Sequence, residues 1–185
     1  MDSEPHEDSV ERVVGEWRAQ RPDEDFTAMA LFGRLSRIVM EQRAIFNHRH
    51  DSVGLTLSDF DVLATLSRAP GNTLSAGEIA NGSLLTLGAV SMRIDRLARD
   101  GKVTRSRSSE DRRIVLVSLT DRGRELIDGI HPCHVQALGR LLADLSAEEL
   151  AALGPLLRKV EMSIQAHGAE AREYPMGVEQ QDSGG

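Results

Sequence analysis

The chain has 185 residues, a formal net charge of −7 at pH 7, 40% hydrophobic residues and one cysteine. This length accommodates one compact domain with a hydrophobic core and additional helices. The single Cys133 excludes a disulfide framework and a multi-cysteine zinc site, and no apolar run approaches the roughly 18 residues of a membrane span. Residues 1–8 are acidic without an apolar core, so we expect no signal peptide, a disordered start and a cytoplasmic protein.

Two helices are predicted before residue 50. Within residues 9–19, one helical face carries Val10, Val13, Val14 and Trp17. The sequence Arg21-Pro22-Asp23 breaks this helix. A longer helix with its own apolar stripe is predicted over residues 26–48.

A third helix is predicted over residues 58–68. Ser58 and Asp61 have the spacing of a capping box, in which a side-chain hydroxyl and an acid three residues later satisfy the first free backbone N–H groups. Residues 75–80 favour a short fourth helix, and Asn81-Gly82-Ser83 is typical of a turn.

Thr86 is predicted to cap a fifth helix, which Gly101 ends at the position after the C-cap. Residues 103–107 and 114–119 then alternate in polarity, with Val115, Val117 and Leu119 expected on one face. Residues 108–113 are the polar tip of this β-hairpin. A short helix, a turn, a second helix and a basic hairpin predict a winged helix-turn-helix within residues 51–120.

Two helices are predicted after the hairpin. Thr120-Asp121 begins a helix to about Leu145, which Pro132 is expected to kink or break. Ser146 caps a last helix to about Gln165, and residues 167–185 are predicted to be a disordered tail. The predicted fold is therefore mainly α, with a winged helix between helical ends.

The acidic net charge conceals a basic segment. Residues 93–113 contain eight basic and four acidic residues, a local net charge of +4. A basic surface on an acidic protein can still bind phosphates locally.

DNA contacts are predicted from the fifth helix and from the hairpin tip. Arg96 and Arg99 lie opposite the apolar face of the helix, where arginine can reach guanine edges or phosphates of the major groove. The alternative is a merely solvated helix face. At the tip, two arginines suit a narrow minor groove, and Asp111 is expected to hold one of them by a charge-assisted hydrogen bond. The candidate DNA-binding residues are Thr86, Ala89, Ser91, Met92, Arg96, Arg99, Arg112 and Arg113.

The hairpin resembles the wing signature of the MarR family of bacterial regulators. The matching residues are Asp111-x-Arg113, followed after five residues by Leu119-Thr120, and residues 57–120 resemble the family's winged-helix core. The resemblance implies an obligate homodimer with interlocking first and last helices, here residues 9–50 and 121–166. It also implies a repressor that binds a pseudo-palindromic operator and is regulated by a small ligand.

The extra N-terminal helix resembles the urate-responsive subgroup of this family. In that subgroup a tryptophan, an aspartate and two arginines are proposed to hold an anionic purine, and the matching residues here are Trp17, Asp61, Arg93 and Arg105. The pattern departs at Met92, where an asparagine is more common. Indole can stack on a flat ring, and arginine supplies planar donors to an anion. Arg93 and Arg105 would then turn inward, while Arg96, Arg99, Arg112 and Arg113 face DNA.

Each of these four residues has a simpler interpretation. Trp17 can anchor an amphipathic helix, Asp61 can be the capping partner of Ser58, and Arg93 and Arg105 can bind phosphates. Other open readings are a regulator sensing another anion or a phenolic compound, and a ligand-independent architectural DNA-binding protein.

Enzyme chemistry is not predicted. The sequence has no Gly-rich phosphate loop, nucleophile elbow or CxxC motif, so we expect no catalytic residues and no cofactor. The histidines lack a carboxylate cluster at ligand spacing, so no metal site is predicted. Cys133 is expected to be a small buried hydrophobic residue.

Overall fold

The computed structural model describes residues 8–83, 85–109 and 111–174. Its helices are α1 (Ser9–Gln20), α2 (Thr27–Asp51), α3 (Leu57–Ser67), α4 (Ala76–Gly82), α5 (Leu87–Arg99), α6 (Asp121–Leu141) and α7 (Ala147–Glu173). Its strands are β1 (Thr73–Ser75), β2 (Val103–Arg107) and β3 (Val115–Leu119). The predicted mainly helical winged-helix fold is confirmed. The chain divides into two compact units, residues 1–131 and 132–185.

Helix α1 packs on the start of α2. The Asp8 carboxylate caps α1 by accepting the backbone N–H groups of Val10 at 3.1 Å and Glu11 at 3.2 Å. Val10, Val14 and Phe26 form a small separate core. Asp8 is thus ordered, although it fell in the segment predicted to be disordered; residues 1–7 lie outside the described residues.

The N-cap of helix α3 lies two residues earlier than predicted, at Thr56 instead of Ser58. Thr56, whose backbone is extended, accepts the N–H of Asp59 at 3.1 Å, and the Asp59 carboxylate accepts the N–H of Thr56 at 2.8 Å. The predicted pairing of Ser58 with Asp61 is therefore wrong, because Ser58 already lies inside the first helical turn.

The core of the first unit lies between α3, α5 and the sheet. Its buried side chains come from α3, α4, α5, α6 and the hairpin strands, and include Val62, Leu63, Leu66, Ile79, Val90, Ile94, Leu97, Val103, Val117, Leu119 and Ile127. Burying a large aliphatic side chain contributes roughly 1.5–3 kcal/mol. This core fixes α5 and the hairpin as one body.

The sheet is antiparallel, with strand order β1-β3-β2. Val103 pairs with Leu119 and Arg107 with Val115, so the predicted hairpin is formed. Strand β1 was not predicted. Val115 is exposed, unlike Val117, because it lies toward the tip and beyond the core.

The C-terminal helices differ from the prediction in extent. Helix α6 runs through Pro132 without a break and ends at Leu141, and Cys133 on it is exposed rather than buried. Helix α7 has the predicted Ser146 cap but continues to Glu173, so residues 167–173 are helical and not disordered as predicted. Residues 175–185 lie outside the described part. No helix in the described part is long and apolar enough to cross a membrane.

Candidate nucleic-acid interface

Helices α4 and α5 form the helix-turn-helix. Ser75 and Glu78 make a capping box at the start of α4, and the Thr86 hydroxyl caps α5 by accepting the N–H of Ala89 at 3.3 Å. Buried Ile79 and Val90 anchor the two helices to the core. The Thr86 cap and the packing of Val90 in the core fix the orientation of α5.

The outward face of α5 carries two exposed apolar residues, Leu87 at 55% and Met92 at 63% exposure, among polar side chains. Ser91 is also exposed, and its hydroxyl donates its hydrogen to the backbone oxygen of Leu87 at 3.0 Å. The Ser91 oxygen can still accept a hydrogen bond. Arg99 is exposed and donates from Nε to the backbone oxygen of Asp95 at 3.4 Å. Met92, Ser91 and Arg99 therefore occupy the face predicted to meet DNA, while Ala89 is half-buried.

Arg96 does not point away from the domain. Its Nη2 donates to the backbone oxygen of Gly54 at 3.2 Å, and its Nη1 lies 3.2 Å from Oδ2 of Asp59. The prediction that Arg96 faces outward is therefore wrong in this structure, because a buried carboxylate on α3 attracts its guanidinium.

Asp59 is the residue that sequence reasoning missed. It is fully buried, and Arg93 Nη1 lies 3.8 Å from its Oδ1. The spacing Thr56-x-x-Asp59 has the form of a capping box and would have located the residue, although not the arginines around it. Arg93 does turn inward, as predicted.

Arg105 does not turn inward. Its guanidinium on β2 pairs with the exposed carboxylate of Asp95 on α5, so the predicted inward orientation is wrong. The interaction joins the outer faces of the helix and the wing. Surface ion pairs of this kind contribute little stability, and Arg105 is 40% exposed.

The wing tip presents Arg112 and Arg113 to solvent. The Asp111 carboxylate accepts the backbone N–H of Arg113 at 2.9 Å, and the Asp111 backbone oxygen accepts the N–H of Ile114 at 2.9 Å. Asp111 therefore holds Arg113 by a charge-assisted hydrogen bond to its backbone N–H, which also shapes the turn.

Trp17 lies on α1 at 38% exposure. Its ring stacks with Phe26 at a centroid separation of 6.4 Å, and the guanidinium carbon of Arg21 lies 5.5 Å from its centroid. Of the other predicted ligand-binding residues, Asp61 is half-buried on α3. Trp17 contacts Phe26 and Arg21, Arg93 approaches Asp59, and Arg105 pairs with Asp95. None of these partners belongs to the predicted ligand-binding set. Among the described residues, no cluster of His, Cys, Asp or Glu could hold a metal ion.

A model of the MarR family matches residues 53–114, from the turn after α2 to the wing. The chain is 34% identical over 157 residues to the HTH-type transcriptional regulator PecS of Dickeya dadantii (strain 3937), covering 84% of this chain and 94% of that protein. The chain belongs to the MarR family.

Two solved structures extend this assignment. A mutant MarR from Escherichia coli complexed with operator DNA is 30% identical, with a TM-score of 0.65, covering 75% of this chain and 99% of that one. The second structure is Bordetella bronchiseptica BpsR, whose DNA binding is regulated by 6-hydroxynicotinic acid. It is 28% identical, with a TM-score of 0.64, and the match covers 71% of this chain and 98% of that one. This MarR-family protein is thus a DNA-binding transcription regulator, and its relatives are not enzymes.

Proposed function

We propose that this MarR-family regulator is a repressor that binds a pseudo-palindromic operator as a homodimer and releases it when a planar, urate-like anion binds. The observation that carries the proposal is Arg93. This arginine belongs to the recognition helix α5, yet its Nε is buried without a hydrogen-bond partner. A buried N–H donor that lacks an acceptor favours an incoming anion.

Operator binding would use the outward face of α5 and the wing tip. Exposed Met92 and Arg99 suit the major groove, where arginine reads guanine or binds phosphate. Arg112 and Arg113 suit the adjacent minor groove or its phosphates. In this proposal Thr86, Ala89 and Ser91 contribute at the N-terminal end of α5.

Dimerisation is supported by the uncovered apolar face of α7. No residue of this 27-residue helix is buried within the chain. Four of its exposed large apolar residues share this face, namely Leu150, Leu153, Leu157 and Ile164. An exposed apolar face of this length is typical of a protein–protein interface. In a two-fold symmetric dimer, the same helix of a second copy would bury it.

The proposed ligand is flat and anionic. Half-exposed Trp17 offers a ring for stacking, and Arg21 beside it adds positive charge. Asp61 would accept ring N–H groups, and Arg93 and Arg105 would bind the anion, the latter after leaving Asp95. A ligand that pulls Arg93 acts directly on the helix that reads DNA.

A second candidate ligand class is a pyridine carboxylate or another small organic anion. This class is favoured by the similarity to BpsR, whose DNA binding is regulated by 6-hydroxynicotinic acid. The same arginine chemistry would serve a carboxylate. A ligand-independent architectural protein is the remaining alternative, and its DNA affinity would respond to none of these molecules.

The test begins with an operator recovered by in vitro selection from a random duplex library. Fluorescence anisotropy then measures operator release by urate, xanthine, citrate, trans-aconitate, 6-hydroxynicotinate and simple phenols. We expect urate to release the wild type but not Asp61→Ala or Arg93→Gln. Arg12→Gln, on the exposed face of α1, is the matched control and should respond as the wild type does. Normal release of Asp61→Ala by urate would refute the proposed pocket.

A further inference from the structure

Asp59 is a buried carboxylate shared by two helices. It is 0% exposed, and its Oδ2 accepts the backbone N–H and the hydroxyl of Thr56, both at 2.8 Å. The same Oδ2 lies 3.2 Å from Nη1 of Arg96. A charge removed from water in this way is tolerated only when it is paired and hydrogen-bonded.

The countercharges come from the recognition helix. Arg93 and Arg96 are three residues apart, so they project from the same side of α5 toward Asp59. Arg96 also donates to the backbone oxygen of Gly54, in the turn that follows α2. The orientation of α5 is therefore tied to the start of α3 and to the end of α2.

The two arginines are not held equally. Arg96 lies within hydrogen-bonding distance of Oδ2, whereas Arg93 Nη1 lies 3.8 Å from Oδ1, beyond that range. Oδ1 of Asp59 and Nε of Arg93 are both buried without a hydrogen-bond partner. Arg93 is thus electrostatically attracted to Asp59 but free to form better hydrogen bonds elsewhere.

We propose that Asp59 is the internal anion that positions the recognition helix for DNA reading, and that a bound anionic ligand competes with Asp59 for Arg93. The second half rests on the proposed function, whereas the first half does not. When the ligand takes Arg93, Arg96 alone still holds α5 to Asp59, and the helix loses one of its two ionic contacts with α3. Asp59 acts through the arginines and is a positioning residue.

A double-mutant cycle with Asp59→Asn and Arg96→Gln tests the positioning role on the selected operator. We expect each single variant to weaken specific operator binding about tenfold or more, and the double variant to lose no more than the worse single variant. The salt dependence of binding should keep its slope, because neither residue contacts phosphate. Additive losses, or a slope lowered by about one in Arg96→Gln, would overturn the proposal, since Arg96 would then bind DNA itself.

Two further variants separate positioning from helix capping and from misfolding. Glu149 occupies the equivalent capping position in α7, outside the DNA-binding lobe, and among the described residues no ion pair involves it. Glu149→Gln should therefore leave operator affinity unchanged. If Asp59→Asn does not fold, Arg96→Gln alone tests the positioning role, because Arg93 still neutralises Asp59 in Arg96→Gln. Unchanged operator affinity of Arg96→Gln would overturn the proposal.

Calorimetric titration of the DNA-free protein with urate tests the competition. Asp59→Asn should bind urate about tenfold more tightly than the wild type, because Arg93 no longer has an internal carboxylate to satisfy. If the wild type binds urate and the variant binds it equally or less tightly, the competition is wrong and the proposed function stands. If the wild type binds neither urate nor 6-hydroxynicotinate, the anion part of the proposed function and the competition both fail. The operator cycle still decides the positioning role.

Discussion

Replacing Leu153 and Leu157 together with glutamate should separate the proposed dimer into folded monomers. The two leucines are four residues apart on α7 and share one face with Ile164. They are 37% and 42% exposed in the single chain, so they contribute little to its own core. Glutamate is a good helix former, and the helix itself should persist.

The expected loss follows from the exposed fraction. Complete burial of a leucine side chain contributes roughly 1.5–3 kcal/mol, so covering about 40% of one contributes roughly 0.6–1.2 kcal/mol. A two-fold interface contains four such side chains, which together contribute roughly 2.4–4.8 kcal/mol. Dimerisation should therefore weaken by about two to three orders of magnitude, before the cost of burying carboxylates is added.

Sedimentation equilibrium across a concentration series measures this loss, and far-UV circular dichroism checks the helix content. Met162→Glu is the matched control, because Met162 is 58% exposed and lies on the opposite side of α7. It should dimerise as the wild type does. A double variant that dimerises with the wild-type constant would refute the assignment of this face.

Three other predictions follow from single contacts. Arg113→Ala should weaken operator binding and lower the salt slope by about 0.9, and an unchanged slope and affinity would remove the wing from the interface. Gly123→Ala should lower the melting temperature although alanine favours helix, because a Cβ would lie 2.0 Å from the backbone oxygen of Lys102; an unchanged or higher melting temperature would contradict this packing. Burial lowers the pKa of His50 from its usual 6.5, so the unfolded state binds the proton first, and the free energy of unfolding should fall as pH drops below about 6.5. His50→Gln should show a weaker fall between pH 7.5 and 5.5 in urea titrations; an identical pH profile would exclude His50 as its source.

Local signals determined most of what the sequence predicted correctly. Helix α5 begins after Thr86 and ends at Arg99 because a capping hydroxyl precedes it and Gly101, with a φ of +68°, follows it. Both signals lie within a few residues of the helix ends. The hairpin was also predictable, because Val117 and Leu119 recur at every second residue and the polar residues 108–113 separate the two strands.

Features that depend on distant partners were not predictable in this way. Strand β1 has three residues, too few for a recognisable alternation, and it exists because it pairs with β3. The directions of Arg96 and Arg105 depend on Asp59 and Asp95, which no spacing rule connects to them. Helical periodicity placed Arg93 at the border of the core but could not identify the carboxylate that it approaches.

The most direct test of the account is operator release by urate in the wild type and in Arg93→Gln, measured by anisotropy at one salt concentration. Saturating urate should release the wild type, whereas Arg93→Gln should stay bound to any operator that it still recognises. Release of Arg93→Gln at the same urate concentration as the wild type would contradict the claim that α5 both reads DNA and senses the ligand.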